Sequence, residues 1–241
     1  MKTIIHKAED RGHADHGWLK ANHSFSFAGY FNPSKIHFGA LRVLNDDTIA
    51  PNMGFGEHPH ENMEIITVPL QGVLKHRDSM HNAWQEVKPG EVQVMSAGTG
   101  VYHSEINGSR DESLKLFQIW IIPDKQGVEP RYDQKAFEIN ERDNQLQVLV
   151  SSMDDGHNGS LRIHQDAILS RINLSKDSDY DYQIKSKNHG VYVMVIDGNI
   201  TVDNQDLKKR DAIGVWDAES FNIQAKGDSQ ILFIEVPMLI L

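Results

Sequence analysis

The hydrophobic pattern of the chain is that of short β-strands separated by tight turns. Residues 64–70 (EIITVPL) are rich in β-branched side chains and are followed at once by the turn Gln71-Gly72. Residues 92–95 and 146–150 have the same character, and residues 88–91 (KPGE) carry Pro and Gly where turns favour them. Such turn signals recur about every 8–12 residues, with no long helical period between them. The pattern predicts an all-β protein made of barrels or sandwiches, with few and short helices.

The second half of the chain repeats the pattern of the first half. Residues 191–203 resemble the hairpin around Gly72, with a glycine again between two strand-like runs. A polar stretch at residues 133–144 separates the two halves. We therefore predict two β-barrels packed on each other, one formed by residues 1–138 and the other by residues 139–241.

Histidine and glutamate side chains recur at strand spacing in the first half. His58 and His60 are two residues apart and are followed by Glu64, and His103 and Glu105 are also two residues apart. Because side chains alternate faces along a strand, each pair that is two apart shares a face. If the two strands meet in a small barrel, three imidazoles and a carboxylate converge. That ligand set suits a divalent transition metal, so the sequence predicts a metal site in the first barrel.

The second half offers no such ligand set. Aligning the repeats on their turn glycines places three residues without chelating side chains at the positions of the first two histidines and the glutamate: Ile184, Ser186 and Gly190. We therefore predict that the second barrel is degenerate and binds no metal. His189 lies next to this register without a partner, and we predict no metal role for it.

The order of the motifs resembles that of a known family. Together they are similar to the two motifs of the cupin superfamily and, more narrowly, to the pirins, two-barrel cupins (bicupins) also described as quercetinase-like. The resemblance rests on residues 23–33 (HSFSFAGYFNP), 44–47 (LNDD), 54–60 (GFGEHPH), 76–79 (HRDS), 89–93 (PGEVQ) and 95–105 (MSAGTGVYHSE). It covers residues 1 to about 125 densely and the remainder loosely. Ser96 stands where cupins usually have Pro, and the gap before His103 is longer; both departures are themselves pirin-like.

The resemblance implies a ligand set and an activity. In pirins two histidines of the first motif and a later histidine and glutamate bind the metal, and they correspond to His58, His60, His103 and Glu105. The implied cofactor is one divalent transition metal, iron(II) in first place, with manganese, nickel, copper or zinc as alternatives. The implied activity is that of a quercetin 2,3-dioxygenase, which cleaves flavonol-like aromatics with O2 and releases carbon monoxide.

Two carboxylates compete for the role of the general base that accepts the substrate proton. Glu105 would have to serve as both ligand and base, or leave the metal to act, and Glu64 could take the second role. Glu64 is also the rival ligand, because many cupins use the glutamate of the first motif. The family also implies an alternative function, a metal-bearing regulator or sensor that binds a protein partner, because fold alone does not set function.

The composition narrows the range of partners. The formal net charge of −10 disfavours direct nucleic-acid binding, which normally needs a basic patch. The chain has no cysteine, so disulfides and thiolate ligands are excluded. It shows no apolar signal segment and no apolar run of the roughly 18–20 residues that cross a bilayer. We expect a cytoplasmic monomer that binds a small aromatic substrate and O2.

Four further aromatic side chains belong to the motifs. His76 and His81 lie near the first hairpin, and we predict that they face away from the metal site or line its rim. Phe25 and Phe27 alternate as on a strand, and we predict that they pack in the core in preference to contacting substrate.

Overall fold

The computed structural model describes residues 1–81 and 83–238. These residues form β-strands and two short 3-10 helices, Ala8–Asp10 and Ile139–Arg142, neither of which is long and apolar enough to cross a membrane. The first twelve strands are β1 (Lys2–His6), β2 (Gly12–Asp15), β3 (Leu19–His23), β4 (Leu41–Ile49), β5 (Gly54–His60), β6 (Glu64–Gln71), β7 (Leu74–Asp78), β8 (Gln85–Val87), β9 (Glu91–Ser96), β10 (Val101–Asn107), β11 (Leu114–Ile121) and β12 (Arg131–Ala136). The others are β13 (Gln147–Ser152), β14 (Leu161–Ile163), β15 (Ile168–Leu174), β16 (Asp179–Gln183), β17 (His189–Asp197), β18 (Asn199–Val202), β19 (Gln205–Lys208), β20 (Ala212–Trp216), β21 (Ser220–Ala225) and β22 (Ser229–Pro237).

The strands form two barrels of the same design, each from a seven-stranded and a four-stranded sheet. In the first barrel the sheet orders are β12-β9-β6-β11-β4-β3-β2 and β5-β10-β7-β8. In the second they are β1-β20-β17-β22-β15-β13-β14 and β16-β21-β18-β19. The central order β9-β6-β11-β4 thus recurs as β20-β17-β22-β15. The prediction of an all-β protein with two cupin-type barrels is confirmed.

A shared apolar core joins the two barrels. One cluster of buried side chains contains Ile66 and Phe117 from the first barrel together with Tyr192 and Leu232 from the second. Burial of apolar surface stabilises a protein by about 25 cal/mol per Å², so this continuous core fixes the barrels to each other. A second cluster, which includes Phe233, fills the interior of the second barrel with hydrophobic side chains.

The first strand does not belong to the first barrel. Residues of β1 pair antiparallel with β20, so the N-terminal segment extends the large sheet of the second barrel. The contact is reinforced by His6, whose Nδ1 lies 2.8 Å from the hydroxyl oxygen of Tyr192. The sequence pattern did not indicate that β1 pairs with a strand of the second barrel. The division into residues 1–138 and 139–241 stays a prediction.

Strand pairing shows which residues of the second barrel occupy the positions of the histidines. In the first barrel His58 lies opposite His103 across β5 and β10. In the second barrel the corresponding strands β16 and β21 pair Tyr182 with Phe221. Strand β18 follows Gly198 as β7 follows Gly72, so the two strands correspond. The pairing of β7 with β10 and the pairing of β18 with β21 then place Phe221 at the position of His103. Tyr182 therefore takes the place of His58.

The alignment from sequence alone was wrong at this point. It placed Ile184 at the position of His58, whereas the pairing places Ile184 at the position of His60. The cause is a longer connection, because residues 184–188 join β16 to β17 whereas only residues 61–63 join β5 to β6. The positions that hold the histidines and Glu105 in the first barrel are occupied here by side chains without an imidazole or a carboxylate: Tyr182, Ile184, Phe221 and Ile223.

His189 is a buried hydrogen-bonded residue. Its Nδ1 lies 3.0 Å from an oxygen of Glu235, and its Nε2 lies 3.2 Å from an oxygen of Asp166. Because each ring nitrogen faces a different carboxylate, the three side chains do not converge on one point. This arrangement supports the prediction that His189 has no metal role.

Candidate metal centre

Three histidines converge inside the first barrel. His58 and His103 lie opposite each other on paired strands, and His60 lies two residues further along β5 on the same face. One nitrogen from each of the three rings lies within 4.8 Å of the others, and this is the one such cluster among the described residues. The Nε2 atoms of His58 and His103 are 2.9 Å apart. Two nitrogens bound at right angles to one ion at about 2.1 Å would be separated by about 3 Å, so the spacing fits a shared metal.

The hydrogen bonds of the two facing rings support the same conclusion. Nδ1 of His58 donates to the carbonyl oxygen of Gly56 at 2.8 Å, so Nε2 of the same ring carries a lone pair that can bind a metal. Nδ1 of His103 lies 3.2 Å from Nε2 of His76. When His103 is the donor in this contact, Nε2 of His103 also carries a lone pair. Two lone pairs at 2.9 Å repel each other unless a cation lies between them. The donor set therefore fits a metal ion.

Burial keeps the ligand nitrogens in the neutral form that binds metal. Burial, with a further contribution from the neighbouring imidazoles, lowers the pKa of His103 to about 2. Burial and His58 together lower the pKa of His60 to about 4. Both rings are therefore unprotonated at neutral pH, and a metal does not have to displace a proton from them.

His76 supports the cluster from behind, contrary to the expectation that it faces away or lines the rim. It is completely buried, contacts His103, and stacks on Tyr132 at a centroid distance of 4.9 Å. Its Nδ1 lies 3.7 Å from Asp78, which in turn lies 3.3 Å from the half-exposed His81. The alternation of His76 and Asp78 on β7 was a usable signal, because it repeats the two-residue spacing of the ligands. What sequence could not show is that β7 pairs with β10.

We expect the change His76→Ala to weaken metal binding by about 10–100-fold, because it removes the acceptor that fixes the ring orientation and tautomer of His103. The measurement is a chelator competition titration with nickel(II), with the melting temperature recorded beside it to separate lost packing from lost affinity. His81→Ala, which changes a side chain two contacts away, is the matched control. An affinity of His76→Ala equal to that of the control would show that His103 does not depend on His76.

Glu105 shares the cavity but not the histidine cluster. The register of β10 against β5 shifts by one residue between His103 and Glu105, with the extra residue on β5, so Glu105 lies opposite Phe55. Both carboxylate oxygens of Glu105 accept from Nε2 of Gln118, at 2.9 and 2.7 Å. Burial raises the pKa of Glu105 to about 7, although the hydrogen bonds from Gln118 act in the opposite direction. The carboxyl group can therefore hold or release a proton near neutral pH.

The cavity beside the cluster has a volume of about 200 Å³ and is largely walled by aromatic rings. Its lining consists of Phe27, Asn45, Asp47, Phe55, His58, His60, His103, Glu105, Gln118 and Trp120. Phe27 packs edge-on against Trp120 at 5.3 Å and lines the cavity, so the prediction that it packs in the core was wrong. Phe25 is buried in the inter-barrel core, as predicted. Burial, followed by the neighbouring Asp46, raises the pKa of Asp47 to about 8. The cavity therefore offers flat apolar walls and a few polar groups.

Glu64 lies away from this cavity. Glu64 is the first residue of β6 and lies on the same face of the strand as Ile66, which packs in the inter-barrel core. Its carboxylate accepts a hydrogen bond from the hydroxyl of Ser96 at 2.7 Å. It is not among the residues that line the cavity. The structure thus brings Glu105, and not Glu64, beside the histidines.

The burial of Glu64 predicts a pH-dependent stability. Burial raises its pKa to about 7 in the folded protein, above the value of about 4.3 for an exposed glutamate. The folded state then binds more protons, so the free energy of unfolding falls as pH rises from about 4.5 to about 7. Glutamine does not titrate, so we expect Glu64→Gln to remove this loss. The free energy of unfolding of the variant, relative to that of the wild type, should then increase by about 1–3 kcal/mol as pH rises through that window. Urea unfolding at several pH values measures it. The exposed Glu61 supplies the control Glu61→Gln, and parallel curves for all three proteins would refute the expectation.

Comparison with known proteins agrees with the geometry. The family model described as Pirin matches residues 5–121, and the one described as quercetinase C-terminal cupin domain matches residues 148–236. The quercetin 2,3-dioxygenase of Escherichia coli strain K12 is 44% identical over 233 residues, which cover 97% of this chain and 98% of the relative. The chain belongs to the pirin family. A pirin-like protein of Caulobacter vibrioides is 39% identical over 93% of this pirin and 95% of the relative.

Solved structures extend the agreement to three dimensions. The Escherichia coli pirin YhhW in complex with nickel(II) superposes with a TM-score of 0.92 at 42% identity, covering 99% of this chain and all of that one. The structure of a quercetin 2,3-dioxygenase from Acinetobacter baumannii has a TM-score of 0.78 at 20% identity, covering 98% and 86% of the two chains, which shows a shared fold. The expected membership of the pirin family is confirmed.

Proposed function

We propose that this pirin is a metal-dependent dioxygenase that cleaves flavonol-like aromatics with O2. The observation that carries the proposal is the cluster of three histidines beside a buried carboxylate, in one aromatic-walled cavity. Full-length relatives named quercetin 2,3-dioxygenase support the same activity.

Three histidines and one glutamate form the proposed ligand set. His58, His60 and His103 present lone pairs to a common point, and Glu105 lies on the same strand as His103. Because the carboxylate of Glu105 is held by Gln118, it must exchange that hydrogen bond to join the ion. A set of imidazoles and a carboxylate suits several divalent ions. Iron(II) remains our first expectation, and the nickel(II) complex of YhhW supports nickel as an alternative.

A divalent ion bound there supplies Lewis-acid polarisation of an enol oxygen on the substrate. The residues of the chain supply the remaining functions. Phe27, Phe55 and Trp120 form flat walls that hold an aromatic ring and keep water from the reacting atoms. The cavity of about 200 Å³ is smaller than a whole-ligand pocket of about 300–1,000 Å³, so one end of a flavonol enters it and the rest stays at the mouth.

Glu105 is the proposed general base. It is buried in the cavity wall, and a pKa raised to about 7 lets it accept the proton of the flavonol hydroxyl and hold it until product forms. Glu105 takes this role in the arrangement in which Gln118, and not the ion, holds its carboxylate, because the side-chain amide of Gln118 then donates to both oxygens and orients them. The position of Glu64, the second base candidate, which faces Ser96 and does not line the cavity, supports Glu105 as the base.

An oxygen-uptake assay tests the proposal. Purified protein is loaded separately with iron(II), manganese(II), nickel(II), copper(II) and zinc(II), its metal content is measured, and oxygen uptake and carbon monoxide are followed with quercetin. We expect uptake and carbon monoxide in equal amounts with at least one metal. If no loaded form consumes oxygen with any flavonol, the regulatory alternative replaces the enzyme.

The monomeric state and the cytoplasmic location are also proposals. Light scattering tests the monomeric state, and cell fractionation tests the location.

A further inference from the structure

A cleft between the two barrels collects positive charge in a protein whose net charge is −10. Its volume is about 380 Å³, within the range of small-molecule sites. Five cationic side chains from both barrels line it: Lys115, Arg142, Arg171, Lys209 and Arg210. A single carboxylate, that of Asp197, lies among the lining residues. None of these residues belongs to the metal cavity.

Two of these arginines are buried without an ion-paired carboxylate among the described residues. Arg142 is 3% exposed and Arg171 is 8% exposed, and neither forms an ion pair within residues 1–81 and 83–238. Nε of each has no hydrogen-bond partner in that part of the chain. Arg171 donates to the amide oxygen of Gln230 at 3.2 Å, which is a neutral acceptor. Burial of a charge is unfavourable unless the charge is paired, so two such arginines side by side need an explanation.

Two other arginines of the same region, the buried Arg11 and the half-buried Arg210, are paired with a carboxylate, and this contrast is informative. Arg11 lies 3.5 Å from a carboxylate oxygen of Asp46, and Arg210 donates to the same oxygen at 2.8 Å. Where a guanidinium serves the structure here, the chain provides a carboxylate. Within the described residues neither Arg142 nor Arg171 has a carboxylate at ion-pair distance, although the charge of the neighbouring Asp143 partly offsets the lowering of the Arg142 pKa by burial. Their charges act against each other: burial, followed by Arg142 and Arg210, lowers the pKa of Arg171 to about 9.

We propose that this cleft binds a small organic dianion, a phosphate monoester or a dicarboxylate with an apolar body. Planar guanidinium groups match the paired oxygens of phosphates and carboxylates, so Arg142 and Arg171 bind the anionic groups. Leu70, Ile139 and Ile196 contribute apolar wall for the body of the ligand. Lys115, exposed at the rim, raises the local anion concentration. Because the lining comes from both barrels, a bound ligand bridges them.

Phenyl phosphate and phthalate are suitable probes, because each joins an aromatic ring to two negative charges. Binding to the metal-loaded protein is measured by calorimetry and by the melting temperature, against sodium chloride at equal ionic strength. We expect at least one probe to bind and to raise the melting temperature, and the preferred probe tells a phosphate ligand from a dicarboxylate. If neither probe acts more strongly than sodium chloride, the proposal fails.

Matched variants separate this cleft from other sites. Arg171→Gln is expected to weaken probe binding at least about 10-fold, and Lys115→Gln by several-fold. Lys187→Gln makes the same charge change on an exposed lysine outside the cleft and is expected to bind as the wild type does. Without probe, Arg171→Gln should melt no lower than the wild type, because it removes an unpaired buried charge. A lower melting temperature together with unchanged probe affinity would make Arg171 a structural residue and overturn the proposal. Should Arg171→Gln not fold, wild-type affinity in Lys115→Gln overturns it alone.

Discussion

Replacing His103 by alanine is expected to reduce bound metal from about one ion per chain to less than about a tenth. His103 faces His58 at 2.9 Å between Nε2 atoms and is held from behind by His76, so it is the buried centre of the cluster. His58 and His60 lie on β5, where they are only half-buried, and the carboxylate of Glu105 is held by Gln118, so we expect these three remaining ligands not to retain an ion through purification. Elemental analysis of protein purified after metal loading gives the number directly.

His13→Ala provides the control for that experiment. His13 is exposed and bonded to Asn22, so its loss changes the histidine count without touching the cluster. We expect the metal content of this variant to equal that of the wild type, and we expect His58→Ala and His60→Ala to lose metal as His103→Ala does. Full metal content in a folded His103→Ala protein would mean that the ion binds elsewhere.

Replacing Glu105 by glutamine is expected to lower flavonol turnover per bound metal by about 10²–10⁴. The amide nearly preserves the shape of the side chain, so flavonol binding, measured without oxygen, should change much less. A glutamine cannot accept the substrate proton, whereas the carboxylate of Glu105, with a pKa of about 7, can. Turnover must be divided by metal content, because a partial loss of metal would imitate the loss of a base.

Glu64→Gln is the matched variant for this second experiment. It makes the same chemical change on a buried glutamate that also has a pKa raised to about 7, but one that faces Ser96 instead of the cavity. We expect its turnover to stay within a few-fold of the wild type. A larger loss in Glu64→Gln than in Glu105→Gln would assign the proton transfer to Glu64 and leave Glu105 with at most a ligand role.

Local pattern was sufficient to predict the architecture and the histidines. The two-residue spacing of His58 and His60 places both rings on one face of a strand in any β-structure, since alternation is a property of the backbone itself. Turn glycines at positions 72 and 198 likewise marked the repeat, because hairpins of a given type need a residue that adopts positive φ there. The aligned positions of the second repeat offered no chelating side chain, although the register of that alignment was wrong at the position of His58.

Contacts between distant segments could not be predicted in this way. Alternation tells which side chains share a face, but not whether that face turns inward, so Glu64 and Glu105 stayed equivalent until strand pairing separated them. The place of His76 behind His103 depends on the pairing of β7 with β10, and the exchange of β1 depends on a partner more than two hundred residues away. The cationic cleft joins residues of both barrels that no sequence spacing relates. Local periodicity follows from the backbone, whereas these contacts follow from how whole sheets pack, and only the folded chain contains that information.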